Sequence, residues 1–343
     1  MPAAGAGSGG GRAAGAVLTV ERYELPGVLR PSGAPQSVLP MAEWRARAAA
    51  HLERVEAFTR PRRERRARGA SHPVYDFLFQ YYSYSAGKLE TWHPGPHEWL
   101  EDSPEARARF TAPAYVAANG LLVRTPGAMP AAERATLVDV LGVLRATHER
   151  PAHFGCYGMH EWAMVYGGHD LRHARVAPLR LPQPQLDAFV ESRPVVCTHF
   201  DAFRFFAPAA KPLNRLPLRW DTRHDTEQPG CIHANMDLYR WAYTSMPWIG
   251  SDLLWPCFAL AVALRLLDME AGPYDLRAFG VEPVPVETPE GRAEYQRRQR
   301  ALSARAQWLR GALIETLGAV LSAGAGDGDA SANSVTPPLP RRP

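Results

Sequence analysis

The feature that most limits the fold is the apolar segment that follows Ser251. From Leu253 to Leu264 and just beyond, apolar residues occupy nearly every side of a helix, a pattern typical of a helix buried at the centre of a larger domain. Pro256 interrupts the segment and Arg265 and Asp268 follow it. The segment is therefore too short to cross a bilayer, which needs about 20 apolar residues. We predict a central buried helix and no membrane span.

Three further segments have helical periodicity. Residues 40 to about 59 repeat apolar side chains at spacings of three and four, and Pro61 is expected to break or kink that helix. A second helix is predicted over about 130–148. A long amphipathic helix is predicted over about 289–321, with Thr288 as its N-cap. Because strand signals are few, the fold class is predicted to be mainly α, with a few short extended segments.

The ends of the chain differ in composition from its middle. Residues 1–38 are rich in Gly, Ala and Pro, and residues 322–343 are rich in Gly, Ser, Pro and Arg, so both are predicted to be disordered tails. Residues 39–321 are predicted to form a single compact helical domain. With 343 residues and 46% hydrophobic content, the chain can bury a sizeable core.

The cysteines and the N-terminus indicate the compartment. Four cysteines in 343 residues do not form a disulfide framework, and no charged start followed by an apolar run marks a signal peptide. We therefore expect a cytoplasmic protein. The net charge of +4 permits a nucleic-acid partner but does not require one. The basic run 60–68 can be interpreted either as a phosphate-binding patch or as a solvated helix face.

Residues that carry chemistry gather in three segments, 153–161, 197–201 and 231–237. The first puts His and Cys at helical spacing, the second alternates polar and apolar side chains, and the third repeats a Cys-x-His pair. Free cysteines and core histidines are often structural, but three such segments together favour a functional polar site. The candidate catalytic residues are Glu161, His160, His199, Asp201, His233 and Asp237.

These residue types are also ligands for zinc or iron. Neither a Cys-x-x-Cys nor a His-Glu-x-x-His spacing is present, so the sequence commits to no cofactor. If a metal ion is bound, the expected ligands are His160, His199, His233 and Asp201.

An aromatic-rich segment, 71–82, and the following Trp92-His93 complete the candidate site. Aromatic side chains at this density either wall a pocket for a planar ligand or fill the core. Arg172, Arg180 and Arg204 are candidate anion-binding residues. The candidate substrate-binding residues are Tyr75, Asp76, Tyr81, Tyr82, His93, Trp162, Arg204 and Asn235.

Several long strings resemble a bacterial family that is usually labelled 3-methyladenine DNA glycosylase. They include HPVYDFLFQYYSY, HFGCYGMHEWAMVY, CTHFDAFRFF and QPGCIHANMDLYRWAY, and the resemblance covers roughly residues 40 to 315. It implies hydrolysis of the N-glycosidic bond of an alkylated purine in double-stranded DNA, with the base flipped into an aromatic pocket.

In that function a carboxylate would orient the attacking water and stabilise the oxocarbenium charge. The resemblance leaves Asp201, Asp237 and Glu161 as candidates for that carboxylate. It implies pocket walls from Tyr75, Tyr81, Tyr82 and Trp162, and phosphate contacts from the basic run 60–68. Two alternatives stay open: a zinc- or iron-dependent enzyme acting on a small molecule, and a non-catalytic binding protein with a buried polar network.

Overall fold

The computed structural model describes residues 37–111, 114–169 and 177–323, so the predictions for residues 1–36, for Arg172 and for residues 324–343 lie outside it. The fold is mainly α, as predicted. The α-helices are α1 (Met41–Ala67), α2 (Phe77–Tyr81), α3 (Ala86–Glu90), α4 (Pro104–Arg109), α5 (Ala131–Glu149), α6 (Met159–Met164), α7 (Gln183–Glu191), α8 (Phe200–Phe203), α9 (Arg223–Thr226), α10 (Ile232–Thr244), α11 (Ser251–Ala271) and α12 (Pro289–Ala323).

Helix α11 lies at the centre of the domain and confirms the prediction of a buried helix. Most of its side chains are buried, and it packs against α10 on one side and α12 on another. Helix α12 in turn packs against α5. The two charged residues near the end of α11, Arg265 and Asp268, are buried with it. Their burial requires partners, because an unpaired charge in a protein interior is costly.

Four short strands form the one sheet in the described part of the chain. They are β1 (Ser37–Leu39), β2 (Glu98–Glu101), β3 (Tyr115–Ala118) and β4 (Leu121–Arg124), in the order β1-β2-β4-β3. The β1–β2 pair is parallel and the other two pairs are antiparallel. Asn119 and Gly120 close the β3–β4 hairpin with φ of 51° and 75°, the positive values that favour Asn-Gly in a two-residue turn.

Helix α1 is longer than predicted. It continues through Pro61 to Ala67, although proline removes one backbone hydrogen bond. The last turns are held by side chains: Arg65 Nε donates to Asp76 Oδ2 at 2.9 Å, and Arg63 pairs with Glu90. Part of the basic run 60–68 therefore forms intramolecular ion pairs, which reduces the charge it presents to a phosphate backbone.

The start of α12 confirms the predicted cap. The Gly291 amide donates to Thr288 Oγ1 at 3.0 Å. We expect Thr288→Ala to lower the free energy of unfolding by about 1 kcal/mol, because that amide loses its acceptor. Urea titration followed by circular dichroism measures the change. Thr136→Ala is the matched control, since the Thr136 hydroxyl is bonded to Ala132 O within α5, and equal losses in the two variants would contradict the capping role.

None of the helices in the described ranges combines the length and the apolar content needed to cross a membrane.

Candidate functional site

The three segments singled out in the sequence converge on one cavity of about 370 Å³. This volume lies within the range of small-molecule sites, about 300–1,000 Å³. Helix α12 closes the cavity with two further side chains. The cavity is lined by His153, Phe154, Gly155, Cys156, His160, Val196, Cys197, Thr198, Arg215, Leu216, Gln228, Cys231, Ile232, His233, Tyr295 and Gln299.

The backbone of segment 153–161 lies very close to residues 228–230, which precede segment 231–237. The Gln228 side chain accepts from His153 N at 2.8 Å and donates to His153 O at 3.2 Å. A Cβ added at Gly230 would lie 2.4 Å from His153 O, so only glycine fits at this approach. Gln299 of α12 donates to Gly230 O at 2.8 Å. These contacts fix the position of the α10 N-terminus, which carries His233.

The centre of the site is formed by His160 of α6, His233 of α10 and Asp268 of α11. Each offers one ligand atom, and these atoms all lie within 4.8 Å of one another. The rings of His160 and His233 are edge to face, with centroids 4.4 Å apart. Both imidazoles line the cavity, whereas Asp268 does not. Among the described residues this is the one group with metal-binding proximity.

The contact between His160 and Asp268 is close but lacks hydrogen-bond geometry. His160 Nε2 lies 2.8 Å from Asp268 Oδ1, and the two side chains are 1% and 0% exposed. Neither atom has a hydrogen-bond partner. Buried polar atoms are nearly always hydrogen-bonded. The two atoms form a buried ion pair when His160 is protonated, and with His233 they are also close enough together to hold a metal ion when His160 is neutral.

The other polar atoms of His160 and Asp268 contact neighbouring groups. Cys156 Sγ lies 3.8 Å from His160 Nδ1, which leaves Nε2 for the site. Arg265 Nη1 donates to Asp268 Oδ2 at 2.8 Å and to Glu161 Oε1 at 2.9 Å. Outer partners of this kind orient the ligands of protein metal sites.

The electrostatics of the three residues are coupled. Burial opposes the charged form of His160, but the Asp268 carboxylate outweighs it and raises the pKa of His160. Burial, together with the neighbouring His160, lowers the pKa of His233 well below its ordinary value. Although burial acts in the opposite direction, His160 lowers the pKa of Asp268. Without a metal ion the site therefore contains an ionised Asp268, a protonated His160 and a neutral His233, and a divalent ion would have to displace a proton from His160 to bind there.

Two of the cysteines that line the cavity, Cys197 and Cys231, are neutral thiols at neutral pH. Burial raises the pKa of the Cys231 thiol to about 12 and raises that of the Cys197 thiol well above its ordinary value. Cys197 Sγ donates to His199 O at 3.5 Å. Since metal ligation requires a thiolate, these two cysteines contribute to the apolar wall of the cavity.

A second buried cluster lies beside the first. His199 Nε2 lies 3.3 Å from Asp237 Oδ2 and 3.7 Å from Glu227 Oε1, and Tyr82 donates to Asp237 Oδ1 at 2.7 Å. Burial opposes the charge on His199, but Glu227 and Asp237 raise its pKa to about 8. Burial likewise opposes the charge on Asp237, and His199 lowers its pKa to about 2. His199 and Asp237 are thus an ion pair at neutral pH.

The sequence named four ligands for a metal ion, if one is bound, and the structure brings two of them together. His160 and His233 belong to the group whose ligand atoms lie close enough together to hold a metal ion, whereas His199 and Asp201 do not. His199 is engaged by Asp237. Asp201 accepts from Arg240 Nη1 at 3.0 Å and lies 3.1 Å from Arg204 Nε. Arg204 is thus paired with a carboxylate of its own chain.

The residues predicted to bind substrate lie outside the cavity lining. Trp162 is fully buried and donates its indole N–H to Ala271 O at 2.9 Å. Asn235 accepts from Arg310 and donates to Pro229 O. The other residues predicted to bind substrate also contact side chains of the same chain. Tyr75 contacts His72, Asp76 pairs with Arg65, Tyr81 stacks on Phe77, Tyr82 bonds to Asp237 and His93 bonds to Tyr115.

Sequence reasoning missed Asp268 and Arg265, which it treated only as interruptions of an apolar segment. The available signal was their position: two charged residues three apart on a helix predicted to be buried on every side must face partners. Arg180, predicted as an anion-binding residue, pairs with Glu287 at 2.6 Å.

Compared with protein-family models, with curated proteins and with solved structures, the chain has no significant match.

Proposed function

We propose that this protein is a metal-dependent enzyme that acts on a small molecule, with His160, His233 and Asp268 as ligands of one zinc ion. The observation that carries the proposal is the proximity of His160, His233 and Asp268, whose ligand atoms all lie within 4.8 Å of one another beside a cavity that both imidazoles line.

The donor set fits catalytic zinc. Such sites use three protein ligands, often two imidazoles and a carboxylate, and keep a fourth position open. Two ligand atoms on a tetrahedral zinc ion lie roughly 3.4 Å apart. The separation of 2.8 Å between His160 and Asp268 needs only a small expansion to reach that value. Iron(II) also accepts this set, but zinc binds nitrogen and oxygen ligands more tightly.

The surrounding residues have separable roles. Arg265 holds Asp268 through its second oxygen and balances the charge of Glu161. His160 and His233 line the cavity and Asp268 does not, so a metal ion held by the three residues would be reached by substrate from the side of the imidazoles. A bound zinc ion would lower the pKa of its water to about 7 and polarise a substrate oxygen. The proposed reaction class is therefore hydrolysis of a small molecule.

Elemental analysis of protein purified without an affinity tag is the first test. We expect about one zinc ion per chain, lost on dialysis against a chelator and restored by added zinc. The apoprotein should then unfold at a lower temperature, since bound metal stabilises the native state. A protein that binds no zinc, iron or other transition metal, even after titration, would contradict the proposal.

Turnover is the second test. A panel of small esters, amides and cyclic amides is incubated with the zinc-loaded protein, the apoprotein and the Asp268→Asn variant. We expect hydrolysis only by the zinc-loaded protein. Binding of zinc without zinc-dependent turnover across the panel would assign the metal a structural role.

The glycosylase activity implied by the resemblance stays a prediction, and the geometry supports it less well. Trp162 and Tyr82, two of its expected pocket walls, are buried and engaged elsewhere. The test is release of 3-methyladenine from methylated double-stranded DNA. The prediction expects release by the wild-type protein and loss in Asp237→Asn, whereas no release above a protein-free control would discard it.

A further inference from the structure

We propose that the substrate of this site carries a carboxylate, bound by Arg215 at the mouth of the cavity while the apolar remainder lies along the cavity wall. The inference rests on the proposed function, because the reacting group of the same molecule would lie at His160, His233 and Asp268. The first support is the distribution of charge. Among the described residues that line the cavity, Arg215 is the one arginine or lysine, and none is acidic.

The guanidinium of Arg215 is available. Arg215 is exposed, and within the described ranges its side chain has neither an ion pair nor a hydrogen bond. Its neighbours along the chain differ: Arg219 Nη2 pairs with Asp221 Oδ2 at 2.7 Å, and Arg223 pairs with Asp139 at 2.5 Å. A guanidinium without a partner at a cavity can bind a carboxylate by donating two parallel hydrogen bonds to it.

The backbone that carries Arg215 is held in place. Arg215 N donates to Val195 O at 3.0 Å. The side chain of buried Asn214 accepts from Cys197 N at 2.7 Å and donates to Cys197 O and Leu216 O. This clamp joins segment 214–216 to segment 195–197 and fixes both at the edge of the cavity. A prepositioned arginine loses less conformational entropy when it binds an anion.

The interior of the cavity suits the remainder of such a molecule. Phe154, Val196, Leu216 and Ile232 provide an apolar wall. The first turn of α10 also lines the cavity, and the N-terminus of a helix carries partial positive charge. A small molecule with one negative end and an apolar body satisfies these features, whereas a cationic molecule meets no acidic partner among the lining residues.

Three hydroxamates serve as probes: benzohydroxamate, 4-carboxybenzohydroxamate and 4-(carboxymethyl)benzohydroxamate. The hydroxamate group binds zinc in all three, and the carboxylate reaches toward the cavity mouth at two lengths. Affinity for the zinc-loaded protein is measured by isothermal titration calorimetry. We expect at least one carboxylated probe to bind about tenfold more tightly than the neutral probe, the gain expected from a charged hydrogen-bonded pair.

Arg215→Gln should remove that tenfold advantage and leave the affinity for benzohydroxamate unchanged. Arg219→Gln is the matched control, because Arg219 is also exposed but already paired with Asp221, and it should retain the advantage. If benzohydroxamate binds but neither carboxylated probe binds more tightly, Arg215 is not an anion anchor and the zinc site still stands. If no probe binds the zinc-loaded protein, the proposed metal site itself fails.

Discussion

Asp268→Asn is expected to lower the affinity for zinc by at least about 100-fold, since loss of a ligand exceeds the 10–100-fold effect of losing an outer partner. The substitution preserves the shape of the side chain and leaves an amide oxygen that binds zinc poorly. His233→Ala should act in the same direction. The measurement is competitive titration of zinc against a chromophoric chelator, with circular dichroism to confirm that each variant is folded.

Asp201→Asn is the control that separates the two possible ligand sets. Asp201 was a conditional ligand on the basis of sequence, but it pairs with Arg204 and Arg240. We expect it to retain wild-type affinity for zinc. If Asp201→Asn loses the metal while Asp268→Asn keeps it, the site lies at His199 and Asp201 rather than on α11.

Arg265→Met is expected to lower the free energy of unfolding by about 3–5 kcal/mol, because it leaves buried carboxylates without their partner. Arg265 bridges Glu161 and Asp268, and all three side chains are at least nine-tenths buried. Denaturant titration of the metal-free protein isolates this contribution from that of bound zinc. A loss below about 1 kcal/mol would show that the bridge is not a major source of stability.

A second substitution tests the electrostatic origin of that loss. Adding Glu161→Gln to Arg265→Met removes one of the two unpaired carboxylates, so the double variant should regain part of the lost stability. Arg277→Met is the surface control: Arg277 pairs with Asp275 in solvent, with 64% of its side chain exposed, and no measurable change is expected. A strictly additive double variant would point to lost packing rather than unpaired charge.

Local features of the fold could be predicted because their causes are local. Thr288 and Pro289 mark the start of α12, and the apolar residues after Ser251 mark α11, since caps and periodicity depend on neighbours within one or two turns. The continuation of α1 past Pro61 was mispredicted because its last turns depend on Asp76 and Glu90, which belong to other segments. The β3–β4 hairpin was not predicted, although Asn-Gly at 119–120 is a common sequence of two-residue hairpin turns.

The candidate site was predicted in part for the same reason. Histidine and cysteine clusters are visible in a sequence, and the segments that contain His160 and His233 do meet at the cavity. Aromatic residues such as Tyr82 and Trp162 look alike in a pocket wall and in a core, and only their hydrogen bonds to Asp237 and Ala271 distinguish the two. The pairing of His199 with Asp237 was likewise invisible in the sequence.

The sequence by itself determined that the chain is mainly helical, that α11 is buried, and which segments carry chemical groups. Each follows from residue type and short-range spacing. Only the tertiary structure decided which polar groups share a site, because His160, His233 and Asp268 lie on three different helices. It also placed Asp268, rather than Asp201, beside the two imidazoles, since α11 packs against α10 and Asp201 pairs with Arg204 and Arg240.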